Sequence, residues 1–143
     1  MRKLIYVIFT ILICAACEVH TSENGVLDGY WQLRSVDTLS SGNTCDMRDS
    51  MIFWSFEVHL MHMRDNKSNY KKVFMRFDLL RDTMTLYKPI IDFRDSSDII
   101  LTDFTMLQHY GIHDVPETLK VVTLKSSTMI LENKVLRLNF RKY

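Results

Sequence analysis

Three cysteines, five histidines and a scatter of acids are the groups that could carry chemistry in this 143-residue chain. Cys14 and Cys17 close an apolar run, and Cys45 stands alone in the loop-like stretch "SSGNTCDMRDS". A thiol reacts as its thiolate, and the residues around Cys45 show no electropositive setting that would favour one. His59 and His62 are three apart in an alternating stretch, so on a strand they face opposite sides and cannot share a metal ion. His109 and His113 have the four-residue spacing of a helical metal pair, but Gly111 between them argues against a continuous helix. Asp92, Asp95 and Asp98 lack the glycine and terminal glutamate of a calcium loop and read as a solvated acidic turn. No Gly-x-Ser-x-Gly motif or comparable nucleophile arrangement occurs. These residues predict no metal, no cofactor and no catalysis, so the chain reads as non-enzymatic.

The cysteines at the end of the apolar run carry more information. "MRKLIYVIFTILICAAC" opens with Arg2 and Lys3, continues through a short apolar middle and ends in small residues. It is shorter than the roughly 20 residues a spanning helix needs, and the pattern is that of a secretory signal peptide. It also resembles a bacterial lipoprotein signal, in which two small residues immediately precede the lipid-bearing cysteine. Ala15 and Ala16 before Cys17 match, whereas Leu12 and Ile13 before Cys14 do not. Cys14 itself occupies the position that family usually fills with leucine. The resemblance implies a signal peptide at 1–16, acyl chains such as palmitate on Cys17, and a flexible polar tether at 17–27. Cleavage after Ala16 by a general signal peptidase, leaving a free thiol, is the competing reading. A lipidated chain would lie in the cell envelope, at the outer membrane, facing either the periplasm or the surface.

Loss of residues 1–16 removes Arg2 and Lys3 and no acid, turning the net charge from +1 to −1. That balance predicts no nucleic-acid partner. The remaining 127 residues suffice for one domain with a real core.

From Gly29 onward the dominant period is two, which argues strands. "SMIFWSFEVHLMHMRD" reads as one long strand with Ile52, Trp54, Phe56, Val58 and Leu60 on its apolar face. Its other face holds Phe53 and Met61, with Met63 further along. "KKVFMRFDLL" repeats the pattern through Val73, Met75, Phe77 and Leu79, and "TMTLYKP" through Met84 and Leu86, with Pro89 expected to end it. "GYWQLRSVD" supplies a first strand, and three consecutive strands close the chain, with turns at Ser126-Ser127 and Asn133-Lys134. Ile90-Ile91 and Ile99-Ile100-Leu101 are possible short strands around a polar turn. One segment departs from alternation: Thr102 or Asp103 can cap a short helix that Gly111 ends. The pattern predicts an all-β fold of seven or eight antiparallel strands with one short helix, either a closed barrel or a two-sheet sandwich.

"DGYWQL" and the closing "LQHYGIHDVPETLKVVTLKSSTMILENKVLRLNFRKY" resemble the lipocalin-like lipoproteins of the Bacteroidota, a calycin-type group. The likeness spans roughly residues 28–143 and implies an up-and-down β-barrel of about eight strands. It assigns a structural role to Gly29 and Trp31 in the first strand and to a basic residue of the last strand lying over the tryptophan. Side-chain parity favours Lys142 for that place, and stacking chemistry favours Arg141. Two functions follow. The barrel interior, lined by Trp54, Phe56, Met75, Phe77, Met84 and Leu86, would take up a small apolar molecule. Alternatively those residues fill a plain core, and the outer face, through Phe53, Met61 and Met63, contacts an envelope protein.

Overall fold

The computed structural model describes residues 23–92 and 98–143, so the signal segment, Cys17 and Asp95 lie outside the described residues. Ten strands form: β1 (Gly29–Thr38), β2 (Thr44–Asp46), β3 (Ile52–Glu57), β4 (Leu60–Asp65) and β5 (Val73–Leu80), followed by β6 (Thr83–Ile91), β7 (Ile99–Ile100), β8 (Glu117–Leu124), β9 (Thr128–Glu132) and β10 (Leu136–Lys142). Three short 3-10 helices accompany them: η1 (Gly25–Leu27), η2 (Arg48–Ser50) and η3 (Phe104–Tyr110). Each antiparallel strand pairs with the next around the sheet, and β10 returns to pair with β1 from Trp31↔Lys142 to Thr38↔Leu136. That pairing closes an eight-stranded barrel, with the short β2 and β7 lying beside β1 and β6. A barrel, and not a sandwich, is the outcome. Closure satisfies the backbone groups that the edge strands of an open sheet would leave unpaired.

The expected long strand over 50–65 is two strands. Glu57 pairs with Leu60, Phe56 with Met61 and Trp54 with Met63, so Val58 and His59 form a two-residue hairpin turn. The turn shifts the parity of everything after it. Met61 and Met63 point into the core with no exposed surface, while Val58 and Leu60 are exposed. The turn was hidden because it contains no glycine, asparagine or proline, and Val58 adopts φ +53° unaided by any of them. Pro89 likewise does not end its strand. β6 carries one extra residue opposite the Phe74–Arg76 step, with Lys88 at φ +52°, and this bulge returns Pro89 to the interior. Cys45 is exposed within β2 and not in a loop. Within the stretch expected as tether, Leu27 in η1 is wholly buried in the core.

The two ends of the barrel are built differently. At one end the chain enters through η1, and the turns 58–59, 81–82 and 125–127 gather there; this is the tether end. At the other, the mouth, η3 packs between the β4–β5 loop and β10. Asp103 caps η3 by accepting from the Thr105 N–H at 3.0 Å and its hydroxyl at 2.7 Å. Gly111 stops it at φ +90°, its N–H donating to the Gln108 carbonyl at 3.0 Å, with Leu107 and Tyr110 buried below. A Cβ on Gly111 would stand 2.9 Å from the Leu138 side chain. Gly111→Ala should therefore cost about 2 kcal/mol or more, combining left-handed strain with overpacking. Gly42→Ala has strain at φ +71° but open space around the new methyl, and should cost measurably less. Urea denaturation of the two variants checks the difference.

Candidate functional site

At the tether end, Gly29, Trp31 and Lys142 form one device. The indole N–H of Trp31 donates to the Leu27 carbonyl at 2.8 Å, tying η1 across the barrel floor. Lys142 Nζ lies 5.1 Å from the Trp31 ring centroid and donates to the Val26 carbonyl at 2.8 Å. Its stem passes where a side chain on residue 29 would sit, with Lys142 Cε 2.9 Å from an added Cβ, and Gly29 holds φ +116°. Parity decides between the two basic residues: Lys142 takes the place over the tryptophan, while Arg141 is exposed on the outer wall. Through these contacts the device ties η1 to the first and last strands.

In the lumen, Trp54, Phe56, Met75, Phe77, Met84 and Leu86 all point inward, and none is more than 3% exposed. Trp54 packs against Phe140 at 4.8 Å between ring centroids, and Phe56 meets Phe77 edge-on at 5.2 Å. Met61, Met63, Met75, Met84 and Met129 fill the spaces around these rings and expose nothing. Eight strands allow either a filled interior or room for one small ligand; here the size of the inward side chains, two tryptophans, three phenylalanines and five methionines, takes up the space. One polar atom is stranded there: the Trp54 indole N–H is buried without a partner. An unpaired buried donor costs about 1–3 kcal/mol.

At the mouth, sequence reasoning missed a clamp. Asp65 ends β4 almost wholly buried, accepts from the Lys67 N–H at 2.7 Å, and faces His109 Nε2 at 3.5 Å. Tyr70 stacks on the His109 ring at 3.6 Å, and the Tyr110 hydroxyl donates to the Lys71 carbonyl at 2.8 Å. Burial, then the Asp65 charge, pushes the Tyr110 phenol up to about 12. The available signal was Asp65 on the inward parity after the hairpin, a buried acid needing a partner. A cleft of about 370 Å³ opens beside the clamp, lined by Asp65, Ser68, Asn69, Tyr70, Lys72 and Asp92. A smaller one of about 180 Å³ lies near His113 and Glu117, whose carboxylate accepts from the His113 and Asp114 N–H groups at 2.8 and 3.0 Å. Both clefts lie outside the lumen. The His109 ring is held by Tyr70 and Asp65, His113 is exposed and bonded only through its backbone N–H, and His59 and His62 occupy a turn and the outer wall. His62 stacks on Phe74 at 4.3 Å, and burial holds its imidazole below the usual range. Among the described residues no three His, Cys, Asp or Glu side chains gather as metal ligands.

A family model of the lipocalin-like domain matches residues 11–143. The chain belongs to the lipocalin-like family. The lipocalin-like barrel is also similar to solved structures. A lipocalin-like protein from Bacteroides uniformis is 20% identical, with a TM-score of 0.64, over 83% of this chain and 100% of its own. An uncharacterised protein from Bacteroides eggerthii is 20% identical, with a TM-score of 0.56, over 82% and 99%. No curated protein matches the chain.

The outer-face expectation needs correction. Met61 and Met63 are core residues, and Phe53, though on the outer wall, is covered by Tyr30 and Tyr143 at centroid distances of 5.4 and 5.6 Å. These three side chains therefore present almost no exposed apolar surface.

Two measurements follow. Trp31→Phe should destabilise this lipocalin-like barrel by about 1–2 kcal/mol more than Trp54→Phe, because only the former strands a bonded carbonyl; urea titrations of both variants compare them. The unfolded phenol ionises near pH 10, whereas folded Tyr110 keeps its proton to about 12. Its contribution is complete below pH 10 and is lost as pH rises toward 12. Tyr110→Phe should flatten the decline in unfolding midpoint across that window.

Proposed function

We propose that this is a lipid-anchored, non-enzymatic envelope lipoprotein whose barrel is a solid scaffold and whose recognition surface is the mouth. The filled lumen carries the reading: the residues that would hold an apolar ligand are occupied with one another. A lumen whose described side chains are packed in this way favours action through the exterior. At the mouth, Ile99, Ile100 and Phe104 are exposed beside the polar cleft of Asp65, Tyr70 and Lys72, and Ile100 is 72% exposed. Apolar anchors flanked by polar groups suit a protein partner. Attachment to the outer membrane is supported by the Arg2-Lys3 head, the apolar middle and Ala15-Ala16-Cys17.

Uptake of a small apolar molecule is a second reading, favoured by the unpaired Trp54 N–H and the five core methionines. A ligand carrying one acceptor would satisfy the indole, and methionines repack at low cost.

The tests separate the parts. Labelled palmitate should enter the full chain and fail to enter Cys17→Ser. A photo-crosslinking residue at Ile100 should give one discrete adduct in intact envelopes, and the same residue at Thr128, on the tether end, should give none. A bound small molecule in native mass spectrometry, together with uptake of an apolar fluorescent probe, would replace the scaffold reading with the ligand one.

A further inference from the structure

The tether end carries an apolar rim that no described element covers. Val26, Val58, Leu60, Leu79, Leu80 and Val122 are all exposed there, Leu80 by 74%. They sit on η1, on the β3–β4 turn and its flank, at the tip of the β5–β6 hairpin, and on the last half of β8. Val58 is the most telling. It is β-branched, exposed, and held at φ +53°, a backbone conformation that glycine or asparagine adopts far more easily. An exposed residue under strain adds little to the fold, which points to contact with something outside it.

The preceding chain says what that something is. Asn24 is fixed to the barrel, its side-chain amide donating to the Val58 carbonyl at 2.9 Å and to the Asp28 carboxylate at 2.6 Å. Cys17 lies seven residues earlier, and seven residues span at most about 25 Å in any conformation. A lipid on Cys17 therefore keeps the tether end close to the bilayer. The mouth lies a barrel's length away, since the eight residues of β5 alone run about 26 Å.

We infer that the rim is a second membrane contact: the tether end rests on the bilayer with Val58, Leu79, Leu80 and Val122 dipping into its interface, and the mouth faces away. This rests on the lipid-anchor reading of Cys17. The charges around the rim are mixed, with Arg76, Arg81, Lys120 and Lys125 set against Glu57, Asp78 and Asp82, and apolar insertion is the contact that the rim's own side chains supply.

The test uses the full, lipidated chain with Cys45→Ser, bound to vesicles of phosphatidylcholine and phosphatidylglycerol. A fluorophore is attached at Leu80→Cys or, at the mouth, at Asn69→Cys; both positions are exposed, so folding is not at stake. Acyl-brominated lipid should quench the label at 80 several-fold more than the label at 69, and aqueous iodide should show the reverse. A chain that sediments with vesicles while both labels remain equally open to iodide overturns the rim contact and leaves the anchor standing. A chain that stays in the supernatant overturns both.

Discussion

Pairing of β10 with β1 is the constraint on which the rest depends. Once those two strands hydrogen-bond, the sheet is a ring of eight, narrow enough for inward side chains to meet one another. Inward residues must then pack against inward residues of other strands. Trp54 of β3 against Phe140 of β10, and Phe56 of β3 against Phe77 of β5, each reach over one intervening strand of the ring. The same closure sets the register that brings Lys142 opposite Trp31 and so seals the floor. A tryptophan, a lysine and a glycine are thereby constrained by one another.

Much of this was legible in the sequence wherever alternation ran unbroken. Val73, Met75 and Phe77, or Met84 and Leu86, declare their inward face because nothing interrupts period two between them. The cap at Asp103 and the stop at Gly111 were legible for a different reason: a short polar side chain and a residue without Cβ each solve a local backbone problem. Legibility failed where the chain broke its period without a turn residue. Val58-His59 reverses direction with a β-branched residue at positive φ, and Lys88 bulges with no glycine, so the apolar face seemed to continue or to end when it had changed phase. The phase change itself was visible, since Ile52, Trp54 and Phe56 are even-numbered and Met61 and Met63 odd-numbered. Only a turn near 58 reconciles the two sets.

The candidate site was less legible than the fold. Its residues are defined by what long-range folding brings together, and Asp65, Tyr70, His109 and Tyr110 come from two segments some forty residues apart. A buried carboxylate is legible only after its strand parity is known, and here parity depended on the hidden turn. The lumen shows the converse. All six interior residues were placed correctly, yet placement inside a barrel does not distinguish a pocket from a core, because both demand apolar, inward side chains. Volume decides that question, and volume belongs to the packed structure alone.

The two ends of the barrel divide the chemistry between them. The tether end is closed by a tryptophan, a lysine and a helical turn, carries exposed aliphatic tips, and adjoins the segment that ends in Cys17. The mouth is closed by a clamp of charged and aromatic groups beside a polar cleft. An apolar rim would be a liability on a freely diffusing protein, inviting self-association. On the proposal that Cys17 carries a lipid, the rim would stand within a short chain's reach of a bilayer and would have a surface to bury against. Polar clefts and exposed Ile100 at the opposite end are then the groups held outward, where a second molecule can reach them. The filled core makes this division mechanically sound: a solid barrel transmits the orientation set at one end to the other without deforming.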